Sequence, residues 1–113
     1  MDEPSPRVIL LNGVSSAGKG SIARALQATL NGLYFFVEFD GFLGMAPAHY
    51  RSDAALWSEH QARIMTAYGA AVLAYLDCGL NLILDNVLPQ GSRLLSRLTV
   101  ILAPYDVYFV GVH

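Results

Sequence analysis

The chain has 113 residues, 54% of them hydrophobic and 14% charged, and its seven basic and nine acidic side chains leave a net charge of −2. That length suits one domain, the charge balance excludes a basic face for nucleic acid, and the single cysteine, Cys78, excludes an internal disulfide framework and fits a reducing cytoplasm. With a mean hydropathy of +0.41, the composition resembles the interior of a larger protein, because small domains bury the smallest share of their surface.

Residues 1–6 (Met-Asp-Glu-Pro-Ser-Pro) read as a tail, acidic where a signal peptide would be basic. Residues 7–12 contain Val8-Ile9-Leu10-Leu11, a continuous apolar run typical of a strand buried on both faces. After a Gly/Ser-rich stretch, Ile22, Leu26 and Leu30 recur at helical spacing, and Asn31-Gly32 marks the stop. Residues 34–40 predict a second strand, and residues 41–51, with two glycines and a proline, a loop or broken helix. Asp53 is a candidate N-cap for a long helix whose stripe is Leu56, His60, Ile64, Tyr68, Val72 and Leu76. The apolar run 67–76 stops at Asp77, short of the roughly 18 residues that a membrane span needs. Residues 80–87 predict a third strand, residues 94–102 a helix stopped by Pro104, and residues 105–112 a fourth strand. The order β-α-β-α-β-α-β with buried strands predicts an α/β fold with a parallel sheet and right-handed crossovers.

The strongest chemical signal is Gly13-Val14-Ser15-Ser16-Ala17-Gly18-Lys19-Gly20-Ser21, a G-x-x-x-x-G-K phosphate loop between a buried strand and an amphipathic helix. Glycines let backbone N–H groups turn toward phosphate oxygens, and the helix N-terminus adds a favourable dipole. Gly13, Ser15, Ser16, Ala17, Gly18, Lys19, Gly20 and Ser21 are therefore the expected nucleotide cradle. Lys19, the only lysine, would reach the β- and γ-phosphates. The hydroxyl that binds Mg²⁺ ordinarily follows the lysine directly; here Gly20 intervenes, as in nucleoside monophosphate kinases, and Ser21 is the expected partner of the metal. The plainer reading is a Gly/Ser turn capping a helix.

Ligands of open α/β sheets bind beyond the carboxyl ends of the strands. Asp40, ending the second strand, suits the base that holds the acceptor proton, and Asp85, late in the third, suits the acid that organises Mg²⁺. Glu38, expected on the same strand face as Asp40 but deeper, is the competing base, and a polar turn former is the bland alternative for each carboxylate. Met45, Tyr50 and Trp57 are candidates for an apolar acceptor pocket, with ordinary packing the alternative, and His60 reads as core or pocket lining. Arg51 and Arg63 are candidate phosphate contacts, or simply solvated. Arg93 and Arg97 read as the wet face of the last helix, and Cys78 as buried.

The run Val8 to Lys19, continued by Ile22-Ala23-Arg24-Ala25-Leu26-Gln27, resembles the opening of chloramphenicol phosphotransferase-like proteins. The resemblance continues at Phe39-Asp40, Met45-Ala46-Pro47, Leu82-Ile83-Leu84-Asp85-Asn86-Val87, and from Tyr105 to His113. It implies an ATP-dependent kinase with a three-layer P-loop fold of adenylate-kinase type, about four strands of which are present. It also implies a small-molecule hydroxyl acceptor, chloramphenicol for the founding member, a requirement for ATP and Mg²⁺, and a general base at Asp40. Gly20 stands where the family has serine. Family members continue past Val-Gly-Val-His into an Arg-rich lid and a further strand. Residues 7–113 are thus expected to be an incomplete domain whose fourth strand is a bare apolar edge. Two other readings stay open: a nucleotide-binding module without catalysis, and a kinase of the same fold acting on a nucleotide or sugar acid.

Overall fold

Residues 5–13, 16–85 and 93–112 are described by a computed structural model. Four strands, β1 (Arg7–Gly13), β2 (Tyr34–Glu38), β3 (Asn81–Asp85) and β4 (Asp106–Val112), form one sheet in the order β2-β3-β1-β4. Every pairing is parallel: Val8 to Leu11 of β1 lie beside Leu82 to Asp85, and Arg7 to Gly13 beside Asp106 to Val112. Parallel strands need crossovers, and the helices α1 (Ser16–Thr29), α4 (Ala54–Asp77) and α5 (Arg93–Leu102) supply them.

Alternation along the buried strands divides the core between the two faces of the sheet. Val8 and Leu10 of β1 join Leu82 and Leu84 of β3 against Tyr68, Val72 and Leu76 of α4 and Leu98 and Leu102 of α5. Ile9, Leu11 and Ile83 face the other way, toward Ala23, Ile22 and Leu26 of α1. The result is three layers: α1, the sheet, and α4 with α5.

The segment expected to be a loop or broken helix is two short helices, α2 (Phe39–Leu43) and α3 (Ala48–Ser52). The long helix begins as its sequence implies. Asp53 Oδ1 accepts from the N–H groups of Ala55 (3.0 Å) and Leu56 (3.1 Å). At its other end Gly79, at φ +82°, lets the Gly79 N–H reach Leu76 O and the Leu80 N–H reach Tyr75 O, satisfying terminal carbonyls.

Two expectations are corrected here. Cys78, the C-cap of α4, is exposed. The other correction is to the second strand, which ends at Glu38, so Asp40 lies in α2 and does not share a strand face with Glu38. Arg97 is exposed as expected, and its guanidinium also donates to Thr66 Oγ1 at 2.5 Å, tying α5 to α4. The two helices approach closely where Gly69 has no side chain; a Cβ there would stand 3.2 Å from Ile101 Cδ1 and 3.3 Å from Arg97 Cδ. The outer strand β4 carries the expected apolar exposure, with Phe109 74% exposed. No helix among the described residues is long and apolar enough to cross a membrane.

Candidate active site

The central strand β1 runs straight into the glycine-rich stretch, which places it at the carboxyl edge of the sheet. α1 begins at Ser16, inside that stretch, earlier than the apolar spacing indicates. The leading N–H groups of a helix have no acceptor within it, and the dipole favours an anion there. The turn Ser16-Ala17-Gly18-Lys19 therefore presents donors of the kind a phosphate needs. Val14 and Ser15 lie outside the described residues, as do the side chains of Ser16 and Ala17. Among the described residues nothing lies within 4 Å of where a Cβ of Gly20 would stand, so packing does not dictate glycine at that position. Ser21 is exposed on α1.

Lys19 is only 2% exposed. A buried ammonium is costly unless compensated. Asp85, the last residue of β3, is likewise only 7% exposed. Burial pushes the Asp85 carboxyl above the ordinary carboxylate range. The Phe39 N–H and the Lys19 charge pull it back, while Glu38 and Asp40 push it up. Asp85, at the carboxyl edge, is thus within electrostatic reach of Lys19, Glu38 and Asp40. Glu38 is the direct register partner of Asp85 across β2 and β3.

The displacement of Asp40 from strand to helix goes with a contact between residues far apart in the sequence. Beyond Glu38, the next backbone donor, Phe39 N–H, bonds to Asp85 Oδ1 at 2.8 Å instead of continuing the ladder. The chain then turns into α2, where the Gly44 N–H donates to Asp40 O. Asp40 is exposed in the first turn. Sequence reading found each of these carboxylates but not the Phe39–Asp85 bond, whose partners are 46 residues apart.

Two open hollows of about 380 and 400 Å³ adjoin α2 and α3 and share Ala46, Trp57, Arg63 and Ile64. Tyr50 and His60 line the first; Phe42 and Met45 line the second. Their size and apolar walls suit a small organic ligand. Tyr50, Trp57, Met45 and His60 thus line open hollows, and Arg63 borders both. Arg51 is exposed and lines neither. No group of three or more His, Cys, Asp or Glu side chains is placed to hold a metal ion among the described residues.

Known proteins place this geometry in a family. Residues 6–113 match the family profile described as "Chloramphenicol phosphotransferase-like protein". A protein found in two strains of Mycobacterium tuberculosis, named a "Putative O-phosphotransferase", is 33% identical over 132 residues, covering 97% of this chain. The chain spans 58% of the length of that relative. Among solved structures, the Pnkp1/Rnl/Hen1 complex superposes with a TM-score of 0.68 at 23% identity, over 98% of this chain and 36% of that one. The APS kinase CysC of Mycobacterium tuberculosis gives 0.66 at 15%, over 96% and 76%. A structure described as a "putative kinase" from Chloroflexus aurantiacus gives 0.63 at 18%, over 95% and 59%. At these identities the structures speak for the fold, that of P-loop kinases. The match along almost the whole sequence shows that the chain belongs to the chloramphenicol phosphotransferase-like family.

Proposed function

We propose that this chain forms the nucleotide-binding and acceptor-facing part of a phosphotransferase that moves the γ-phosphate of ATP to a hydroxyl of a small molecule. The observation that carries the reading is the meeting of Lys19, Asp85 and the Glu38–Asp40 turn at the carboxyl edge, beside the amino end of α1.

In this reading the N–H groups from Gly13 to Gly20 hold phosphate oxygens, and Lys19 places its charge against the β- and γ-phosphates. Asp40, exposed in the first turn of α2, accepts the proton of the acceptor hydroxyl. The acceptor body occupies the hollows around Trp57, which begin a few residues after Asp40. Ser21 and Asp85 are an all-oxygen donor set of the kind Mg²⁺ takes, since that ion usually binds one or two carboxylates together with substrate phosphates. When bound there, Mg²⁺ would neutralise charge on the phosphates.

The acceptor class is tested by substituting Asp40→Asn and measuring both transfer and nucleotide affinity. The rate of transfer to a hydroxyl acceptor is expected to fall by about 10²-fold or more while ATP affinity stays within about twofold. Equal losses in both would remove Asp40 from the role of base.

A further inference from the structure

We propose that Asp85 is a positioning residue for Asp40: reaching across from β3, it caps the amino end of α2 and so fixes where the acceptor-side carboxylate stands. The inference rests on the phosphotransfer reading of Asp40 but concerns a contact that reading does not require.

Helix α2 is five residues long and none of its residues is fully buried; Phe39 and Phe42 are half-buried against Tyr68, but that packing leaves the N–H groups of its first turn to be satisfied. Its N-cap, Glu38, makes no side-chain capping bond. A single helical turn is unfavourable in isolation, because one hydrogen bond must offset the ordering of several residues. The missing cap is supplied from another element. Asp85 Oδ1 accepts the Phe39 N–H at 2.8 Å, satisfying one of the leading N–H groups of α2 that have no acceptor within the helix. A carboxylate also suits a helix N-terminus electrostatically.

The supplier is well placed for this. Asp85 is buried at the end of a central strand whose preceding three residues, Leu82 to Leu84, are fully buried, so its backbone is held by the core. Glu38 lies directly beside it in the strand register, which brings Phe39 within reach. Asp40 is the next residue after the capped one. The same carboxyl also feels the Lys19 charge.

The test compares Asp85→Asn with Asp85→Ala. Both remove the charge, but only asparagine keeps an oxygen at the accepting position; the Phe39 amide reads the cap directly, and the Asp40→Asn background separates it from any effect on the metal or nucleotide. Amide hydrogen exchange at Phe39 should remain slow in the wild type and in Asp85→Asn, and should quicken by about fivefold or more in Asp85→Ala. Transfer of labelled phosphate from Mg-ATP is then measured with the hydroxyl compound, chloramphenicol included, that the wild type phosphorylates fastest. Asp85→Ala should be about fivefold or more slower than Asp85→Asn at equal ATP affinity, and that gap should close when both are made in an Asp40→Asn background.

A Phe39 amide that exchanges equally in the two variants overturns the proposal. So does a rate gap that persists without Asp40, since the effect would then run through the nucleotide side. Should Asp85→Ala fail to fold, the wild-type amide still decides: exchange as fast as an open loop contradicts the cap. If no compound is phosphorylated by the wild type, the phosphotransfer reading fails while the exchange result continues to settle the cap.

Discussion

Tyr68 is a residue through which the core supports α2, and truncating it is the most informative stability experiment. It is fully buried, packed with Leu10, Leu82 and Leu84 of the sheet and Leu98 and Leu102 of α5. Two rings of α2 rest on it: Phe39 at 5.1 Å and 79°, and Phe42 at 5.3 Å and 58°. Each such pair is worth roughly 0.5–1.5 kcal/mol beyond buried area. With the cavity left behind, Tyr68→Ala should destabilise by about 3–5 kcal/mol. At roughly 2.1 cal/mol/K per residue of unfolding entropy, this lowers Tm by on the order of 12–20 °C. Tyr68→Phe keeps both ring contacts and should lose only about 1 kcal/mol with its hydroxyl. Thermal unfolding followed by circular dichroism reads both. Below its lowered Tm, the alanine variant should also lose more phosphate transfer than nucleotide affinity, because α2 loses the surface beneath it. A fall of less than about 5 °C, or an equal fall in both variants, would refute this account of how α2 is supported.

Three further outcomes follow from the same structure. Asp53→Ala removes two capping bonds from α4 and should cost about 1 kcal/mol, a Tm fall of roughly 4 °C with an unchanged denaturant slope; no measurable shift would argue against the cap. Gly79→Ala forces a left-handed φ of +82° on a residue with a side chain, in open space, and should lose about 1 kcal/mol from strain alone in denaturant titration; a stabilised variant would contradict that. The pH dependence of Asp85 has a definite sign. Its folded pKa lies above its unfolded one, so the fold is penalised when the carboxyl ionises. The penalty is absent below the unfolded value of about 3.9 and complete above the raised folded value. Asp85→Asn should therefore gain stability over the wild type as pH rises through that window, and a difference that is constant with pH would refute the assignment.

Much of this was readable in the sequence because the relevant signals are local. Apolar runs without alternation marked strands covered on both sides, and the four-residue spacing from Leu56 to Leu76 marked α4 together with its cap at Asp53. The G-x-x-x-x-G-K pattern between strand and helix needed no tertiary information. What could not be read depended on contacts between distant residues. Nothing local stops β2 at Glu38: Phe39 has strand character, and it turns because a carboxylate 46 residues away takes its N–H. Arg97 is exposed as its sequence implies, but its bond to Thr66 could not be read, because the two lie on different helices. Cys78 looked buried by residue type, yet its place at the end of α4 decides its exposure. Lys19 and Asp85 were assigned separate tasks from sequence; only the fold brings the two charges together.

The most direct test of the central claim is transfer of labelled γ-phosphate from Mg-ATP to a panel of hydroxyl compounds, chloramphenicol included, with Lys19→Ala as the control. The account predicts acceptor-dependent transfer by the wild type, and its loss in Lys19→Ala at an unchanged circular dichroism spectrum. Transfer that survives in Lys19→Ala, or a folded wild-type protein that binds ATP and phosphorylates nothing, would contradict it.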